Sequence, residues 1–171
     1  MDIKNIVLVL VIIGNLFLCG WVLLRDYRKM LNWAYNFFGL SIVAWTVALI
    51  FFRLASTTVD SLWWARLLYL APIGITASFI YFCSLGPHSD LALNRREKIF
   101  WLAPTILMLI IVLWPKILLR DITFVAGHEK LFIFGWGYIL YFFYIPSFFL
   151  WGYWLLYKRF YLQVSDFHYG F

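Results

Sequence analysis

Long apolar runs separated by short polar gaps dominate this chain. Each run has about 20 residues or more, which is enough for an α-helix to cross a hydrocarbon core of about 30 Å. Strongly polar residues in the interiors of the runs are few, and Asn15 is the only one in the interior of the first. The pattern predicts transmembrane helices over 3–24, 31–52, 62–85, 99–119 and 132–157.

A different pattern lies in the gap before the fifth helix. Residues 122–125 and 130–134 are rich in β-branched and aromatic side chains, and the residues between them include Gly127. This arrangement is typical of a β-hairpin. Because a lone two-stranded hairpin is marginally stable in water, we expect it to rest on the ends of the helices.

The composition supports a membrane protein. Hydrophobic residues make up 65% of the 171 positions and charged residues 13%, against roughly 45–50% and about 25% in soluble domains. A soluble core of this length could not bury so much apolar surface. The first run is also too long for the apolar region of a signal peptide. We therefore predict one all-α integral membrane domain over 1–171, with an uncleaved first helix.

The Lys and Arg residues are placed asymmetrically. Six are scattered over the gaps on one predicted side of the membrane, and eight lie on the other side in dense clusters that border the helices directly. These eight are Arg25, Arg28, Lys29, Arg95, Arg96, Lys98, Lys158 and Arg159. By the positive-inside rule the N-terminus lies outside and the C-terminus in the cytoplasm. The rule also explains the net charge of +6 without a nucleic-acid partner.

Residues that commonly carry membrane chemistry are missing from the predicted helices. His88, His128 and His168 fall in gaps or in the tail, and no Asp or Glu lies deep in an apolar run. The sequence therefore does not predict paired haem ligands, a metal site or an ion-coupled carboxylate. It contains no phosphate-binding glycine loop or redox cysteine pair, so we predict no cofactor and no catalysis by this chain itself.

Arg66 stands out as a charge within an apolar run. In a purely structural role, its side chain extends to the membrane interface or pairs with Asp60. In a functional role, it anchors an anionic ligand or links two helices. Pro72 interrupts the hydrogen bonds of the same helix, as a structural kink or as a hinge.

Aromatic residues are abundant on the predicted outer half. They either form the interfacial belt or line a pocket beneath the hairpin. Four of them join Arg66 and Pro72 as candidates for a ligand or input site: Trp64, Tyr69, Trp136 and Tyr138.

The third apolar run carries a family resemblance. Residues 62–72 read Leu-Trp-Trp-Ala-Arg-Leu-Leu-Tyr-Leu-Ala-Pro. This segment resembles the third helix of the N-terminal seven-transmembrane sensor region of bacterial histidine kinases, in which an aromatic residue, an Arg, a Tyr and a Pro recur in this order. Trp45, residues 79–82, the pair Arg95 and Arg96, and Gly-Trp-Gly-Tyr at 135–138 extend the resemblance over nearly the whole chain.

The resemblance implies a non-catalytic signal-input domain with an external N-terminus, in the plasma membrane of a prokaryote. Its partners would be the lipid bilayer and either a cytoplasmic signalling protein or a second copy of the chain. The chain departs from the pattern because it ends soon after the fifth helix and lacks helices six and seven and any kinase domain. The sequence leaves two alternatives open, a small transporter or channel subunit and a lipid- or quinone-binding membrane subunit.

Overall fold

The structure is a computed structural model that describes the backbone of residues 3–85, 95–125 and 129–168, and the side chains of 3–85, 99–124 and 130–158. These residues form five helices and one antiparallel hairpin. The elements are α1 (Ile3–Arg25), α2 (Met30–Leu54), α3 (Thr58–Leu85), α4 (Arg95–Leu113), β1 (Leu119–Val125), β2 (Glu129–Phe134) and α5 (Gly137–His168). The predicted helical membrane bundle with a hairpin between its fourth and fifth helices is confirmed.

Among the described residues, four helices are long and apolar enough to cross a membrane. They are α1, α2, α3 and the Gly137–Lys158 part of α5. Large apolar side chains such as Ile13, Phe143 and Leu150 are exposed on their surfaces. In a bilayer this exposure is favourable, because lipid covers the side chains while the backbone groups stay paired within each helix.

The first three helices begin and end close to their predicted bounds. A turn joins α1 to α2, in which the Asp26 carboxylate accepts from the backbone N–H of Arg28 at 3.2 Å and pairs with Lys29 at 3.3 Å. Helix α3 begins four residues before the predicted start. Thr57 accepts from the backbone N–H of Asp60 at 3.1 Å and donates to its carboxylate at 2.7 Å, which resembles a capping box.

The bounds of the last two helices differ from the predicted ones at both ends. Helix α4 begins at Arg95, four residues before the predicted start, and α5 continues to His168, eleven residues beyond the predicted end. The fourth was expected to reach residue 119 but ends at Leu113, because Pro115 cannot continue it and the chain enters β1 at Leu119. Its apolar part, Ile99–Leu113, is ~22 Å long, shorter than a hydrocarbon core. The fifth was expected from residue 132 but begins at Gly137, since 132–134 pair in the hairpin.

Helix α3 is the centre of the bundle. It packs against α2, α4, α5 and β1, while α1 packs on α2. At one end of the bundle, Lys130 of β2 donates to the carbonyl oxygen of Ala55 after α2 at 2.6 Å. At the other end, the Tyr81 hydroxyl of α3 approaches the Met30 sulfur of α2 at 3.9 Å. The hairpin and the α2–α3 connection therefore share one end, as alternating helices require.

The base of the hairpin is a tight crossing of backbone segments. Lys116 adopts a left-handed conformation with φ 66°, which redirects the chain after α4. The N–H groups of Gly135 and Gly137 then donate to the carbonyls of Leu118 and Ile117 at 2.9 and 3.0 Å. The hairpin thereby starts and finishes at the same point between α4 and α5.

Several predicted features lie outside the described residues. These are the hairpin turn at 126–128 with His128, the polar gap at 86–94 with His88, and the side chains of Arg95, Arg96, Lys98, Arg159 and His168.

Candidate functional site

Five aromatic side chains from three elements meet at the hairpin. Tyr69 of α3 lies edge-on to Phe132 and Phe134 of β2, both at 6.1 Å between ring centroids, and to Tyr138 and Tyr141 of α5 at 6.5 and 5.4 Å. Phe134 also stacks on Tyr138 at 4.0 Å. We call these five residues the aromatic cluster. Edge-to-face contacts of this kind contribute about 0.5–1.5 kcal/mol each beyond the area they bury.

A hydrogen bond continues the aromatic cluster into the helix backbone. The Tyr141 hydroxyl donates to the carbonyl oxygen of Tyr69 at 3.0 Å. Pro72 follows less than one turn later and has no N–H, so the carbonyl of Leu68 loses its helical donor. Thr76 donates to the carbonyl of Pro72 at 3.0 Å. The aromatic cluster thus lies beside the point where the hydrogen-bond ladder of α3 is interrupted.

Lys130 joins the hairpin to α2. Its ammonium donates to the carbonyls of Ala55, at 2.6 Å, and Phe52, and lies 4.7 and 5.6 Å from the ring centroids of Phe52 and Phe124. Carbonyls at a helix C-terminus lack helical donors and form the negative end of the helix dipole. Partial burial beneath the hairpin lowers the pKa of Lys130 below its ordinary value.

A second polar contact links α4 and α5 deeper in the bundle. The hydroxyls of Tyr144 and Thr105 lie 3.0 Å apart. Both side chains are buried. Polar contacts between buried side chains commonly hold membrane helices together.

The structure brings two of the six predicted site residues into direct contact. Tyr69 and Tyr138 belong to the aromatic cluster, and Pro72 lies on α3 just beyond it. Trp64 packs elsewhere, on Phe51 of α2, with ring centroids 4.4 Å apart.

Arg66 and Trp136 lie apart from the aromatic cluster. The Arg66 guanidinium lies 5.7 Å from the ring centroid of Trp63, while the Asp60 carboxylate bonds to Thr57 instead. Trp136 is 62% exposed. The predicted set is therefore divided between α3, α5 and the surface.

The sequence pointed to the hairpin as part of the input site, but the six predicted site residues do not include Lys130, Phe132, Phe134 or Tyr141. A usable signal existed on α5, where Tyr138, Tyr141 and Tyr144 follow one another at three-residue spacing and so share one face of a helix. No comparable signal marks Lys130, whose partners are backbone carbonyls distant in sequence.

Within the described ranges, no three His, Cys, Asp or Glu residues converge as a metal site would require. The chain matches no protein-family model, no curated protein and no solved structure.

Proposed function

We propose that this chain is the non-catalytic signal-input domain of a membrane sensor of histidine-kinase type. It would lie in a prokaryotic plasma membrane with its N-terminus outside, and pass a stimulus to a cytoplasmic output outside this chain. The observation that carries the proposal is the aromatic cluster. It couples the hairpin, at one end of the bundle, to helices α3 and α5, which run towards the opposite end.

The coupling follows from what the aromatic cluster contacts. A stimulus that moves the hairpin would displace Phe132 and Phe134 from Tyr69, and Tyr69 lies close to Pro72 on α3. The same movement would reach α5 through Tyr138 and Tyr141. A stimulus shifts such an equilibrium only by its differential affinity for the two arrangements.

The free energy of the aromatic contacts is comparable with what a two-state switch requires. Turning a population from 1:99 to 99:1 requires ~5.5 kcal/mol of differential binding. Breaking three or four aromatic contacts would change the free energy by a few kcal/mol, at about 0.5–1.5 kcal/mol each. The aromatic cluster could therefore separate two states without unfolding the bundle.

A chimera tests the proposal. The chain would replace the input domain of a bacterial membrane histidine kinase, joined in helical register after α5, with autophosphorylation measured in membranes. Tyr69→Ala should shift the basal autophosphorylation several-fold, because it removes the centre of the aromatic cluster. Phe143→Ala, on the exposed face of α5, is the matched control and should leave it unchanged.

Arg66→Ala in the same chimera tests the residue that the sequence singled out. We expect loss of signalling, and unchanged autophosphorylation would remove Arg66 from the input site. If Tyr69→Ala and Phe143→Ala both leave the activity at the parent level, the sensor proposal is contradicted. Solute flux into proteoliposomes, or a quinone or lipid retained through purification, would then favour the alternative functions.

A further inference from the structure

The hairpin has an unusual distribution of side chains between its two faces. The pairs Ile122–Phe132 and Phe124–Lys130 alternate with Asp121–Ile133 and Thr123–Leu131 along the ladder, so the two sets point to opposite sides. In the inner set Ile122 is buried and Phe132 and Lys130 are half-buried, while Phe124, near the turn, is 42% exposed. The outer set, which we call the outer face, leaves Leu131 54% and Ile133 43% exposed.

This distribution is unlike that of a hairpin with one face in water. Such a hairpin places apolar side chains inward and polar ones outward. Here β2 sends a lysine inward and two aliphatic side chains outward. Two exposed tryptophans, Trp114 and Trp136, flank the base of the hairpin, and tryptophan is enriched at the membrane–water interface.

Whether the outer face meets water or lipid depends on how deep the hairpin lies relative to the hydrocarbon boundary. Phe132 and Phe134 contact Tyr69, which is 11 residues after Thr58. Helix α3 has 28 residues, about eight more than a crossing needs. Even if all the excess projects from this end of the bundle, Tyr69 lies at or below the hydrocarbon boundary. The base of the hairpin is therefore level with the lipid.

We propose that the outer face of the hairpin lies in the lipid interface of the adjacent leaflet. Leu131, Ile133 and Trp136 would contact the boundary between acyl chains and headgroups. Asp121 and Thr123, which lie opposite Ile133 and Leu131 at the same levels of the hairpin, would turn their polar groups towards interfacial water and headgroups. Interfacial water there can satisfy the free backbone groups of the hairpin edges, which the hydrocarbon core could not. This inference goes beyond the proposed function and does not depend on signalling.

The dimensions argue against a second copy of the chain as the occupant. Strands of six or seven residues cover roughly 20 by 10 Å, or about 200 Å². A stable interface buries about 800 Å² on each partner. Half of the outer face is also polar, whereas a lipid interface accommodates both kinds of side chain.

The test uses single cysteines carrying an environment-sensitive fluorophore, in the full chain reconstituted into vesicles, with Cys19 and Cys83 replaced by Ala. Labels at Leu131 and Ile133 report on β2, and a label at Thr123, the cross-strand neighbour of Leu131, reports on β1 at the same depth. Ser56, in the exposed α2–α3 connection, is the aqueous reference, and Ile13 on α1 is the lipid reference.

We expect lipids carrying quenchers to quench the labels on β2, and the label at Thr123 opposite Leu131, several-fold more than the label at Ser56. Quenching of the β2 labels by aqueous iodide at the Ser56 level would overturn the proposal. Protection from both quenchers, with energy transfer between copies, would overturn it in favour of a dimer.

A measurement on the unaltered chain guards against variants that fail to fold. Vesicles containing a photoactivatable lipid would be irradiated, and the crosslinked peptides identified by mass spectrometry. Crosslinks within residues 129–136 support the inference, and crosslinks confined to the helices overturn it.

Discussion

Lys130 illustrates how one side chain connects distant parts of this fold. Its ammonium binds carbonyls 75 and 78 residues away in the sequence, at the end of α2. A cation is favourable at the negative end of a helix dipole, and hydrogen bonds to charged groups contribute more than neutral ones. The hairpin is therefore joined to α2 by this polar contact and by the stacking of Phe132 on Phe52, with ring centroids 5.1 Å apart, and to α3 and α5 by aromatic contacts.

Replacing Lys130 by Met should weaken the joint between hairpin and α2. The substitution keeps an apolar stem over Phe52 but removes the donor, which we expect to lower the free energy of unfolding by about 1–2 kcal/mol. Denaturant titration in detergent micelles measures the loss. Lys158→Met, at an exposed position on α5, is the control and should unfold like the parent.

The pH dependence of that loss can be predicted in sign. Burial lowers the pKa of Lys130 in the folded state, so between that pKa and the ordinary value of 10.5 the unfolded chain binds more protons. Stability then rises with pH across this window. Relative to Lys130→Met, the parent should gain stability as the pH rises towards 10.5. A shrinking advantage would mean that the α2 carbonyls favour the charge more than burial disfavours it.

Tyr144→Phe should remove the hydroxyl contact between α4 and α5. Because such bonds average ~0.6 kcal/mol in membrane proteins, and Thr105 retains its bond to the Trp101 carbonyl, we expect a loss of about 1 kcal/mol or less. A double-mutant cycle with Thr105→Val isolates the pair. Strictly additive losses would show that the two hydroxyls do not interact.

At the scale of elements, the chain does not extend α4 as predicted but leaves the helix and forms the hairpin. Helix α4 ends at Leu113, and β1 then packs along α3. The crossing at its base depends on glycine, because a Cβ at Gly135 would meet the Ile117 carbonyl oxygen and lie 2.6 Å from that of Lys116. Backbone atoms in both segments cannot move aside as a flexible side chain could.

Gly135→Ala should therefore displace the hairpin. Overpacking against fixed atoms costs about 1–3 kcal/mol. Here it would destabilise the contacts where β1, β2 and α5 meet. Gly14→Ala on α1, where a Cβ meets nothing within 4 Å, is the matched control. Limited proteolysis at the hairpin, compared between the two variants, measures the effect, and equal cleavage rates would contradict it.

For the molecule as a whole, the two ends of the bundle should face opposite sides of the membrane. A membrane-impermeant maleimide added to intact cells should label Ser56→Cys and not Arg28→Cys, if the N-terminus lies outside. Cys19 and Cys83 are buried and should contribute little background. The reverse labelling would overturn the orientation but leave the bundle intact, and labelling of both positions would contradict the alternation of helices.

The sequence by itself determined the helices and the hairpin. Transfer of a helix into lipid depends on the summed hydropathy of contiguous residues, and turn chemistry acts over a few positions, so both are local properties. Where two local patterns overlapped the prediction erred, because residues 132–134 read equally well as the start of α5 and as a strand. Pairing with β1 decided between them.

Only the tertiary structure decided which residues meet. Tyr69 and Tyr138 could be chosen as candidates because both are aromatic residues of the predicted outer half, but Phe132, Tyr141 and Lys130 become their neighbours through contacts made across the chain. Arg66 was conspicuous in the sequence and yet lies beside Trp63, apart from the aromatic cluster. Composition determines the solvent that a segment prefers, whereas packing geometry determines its partners.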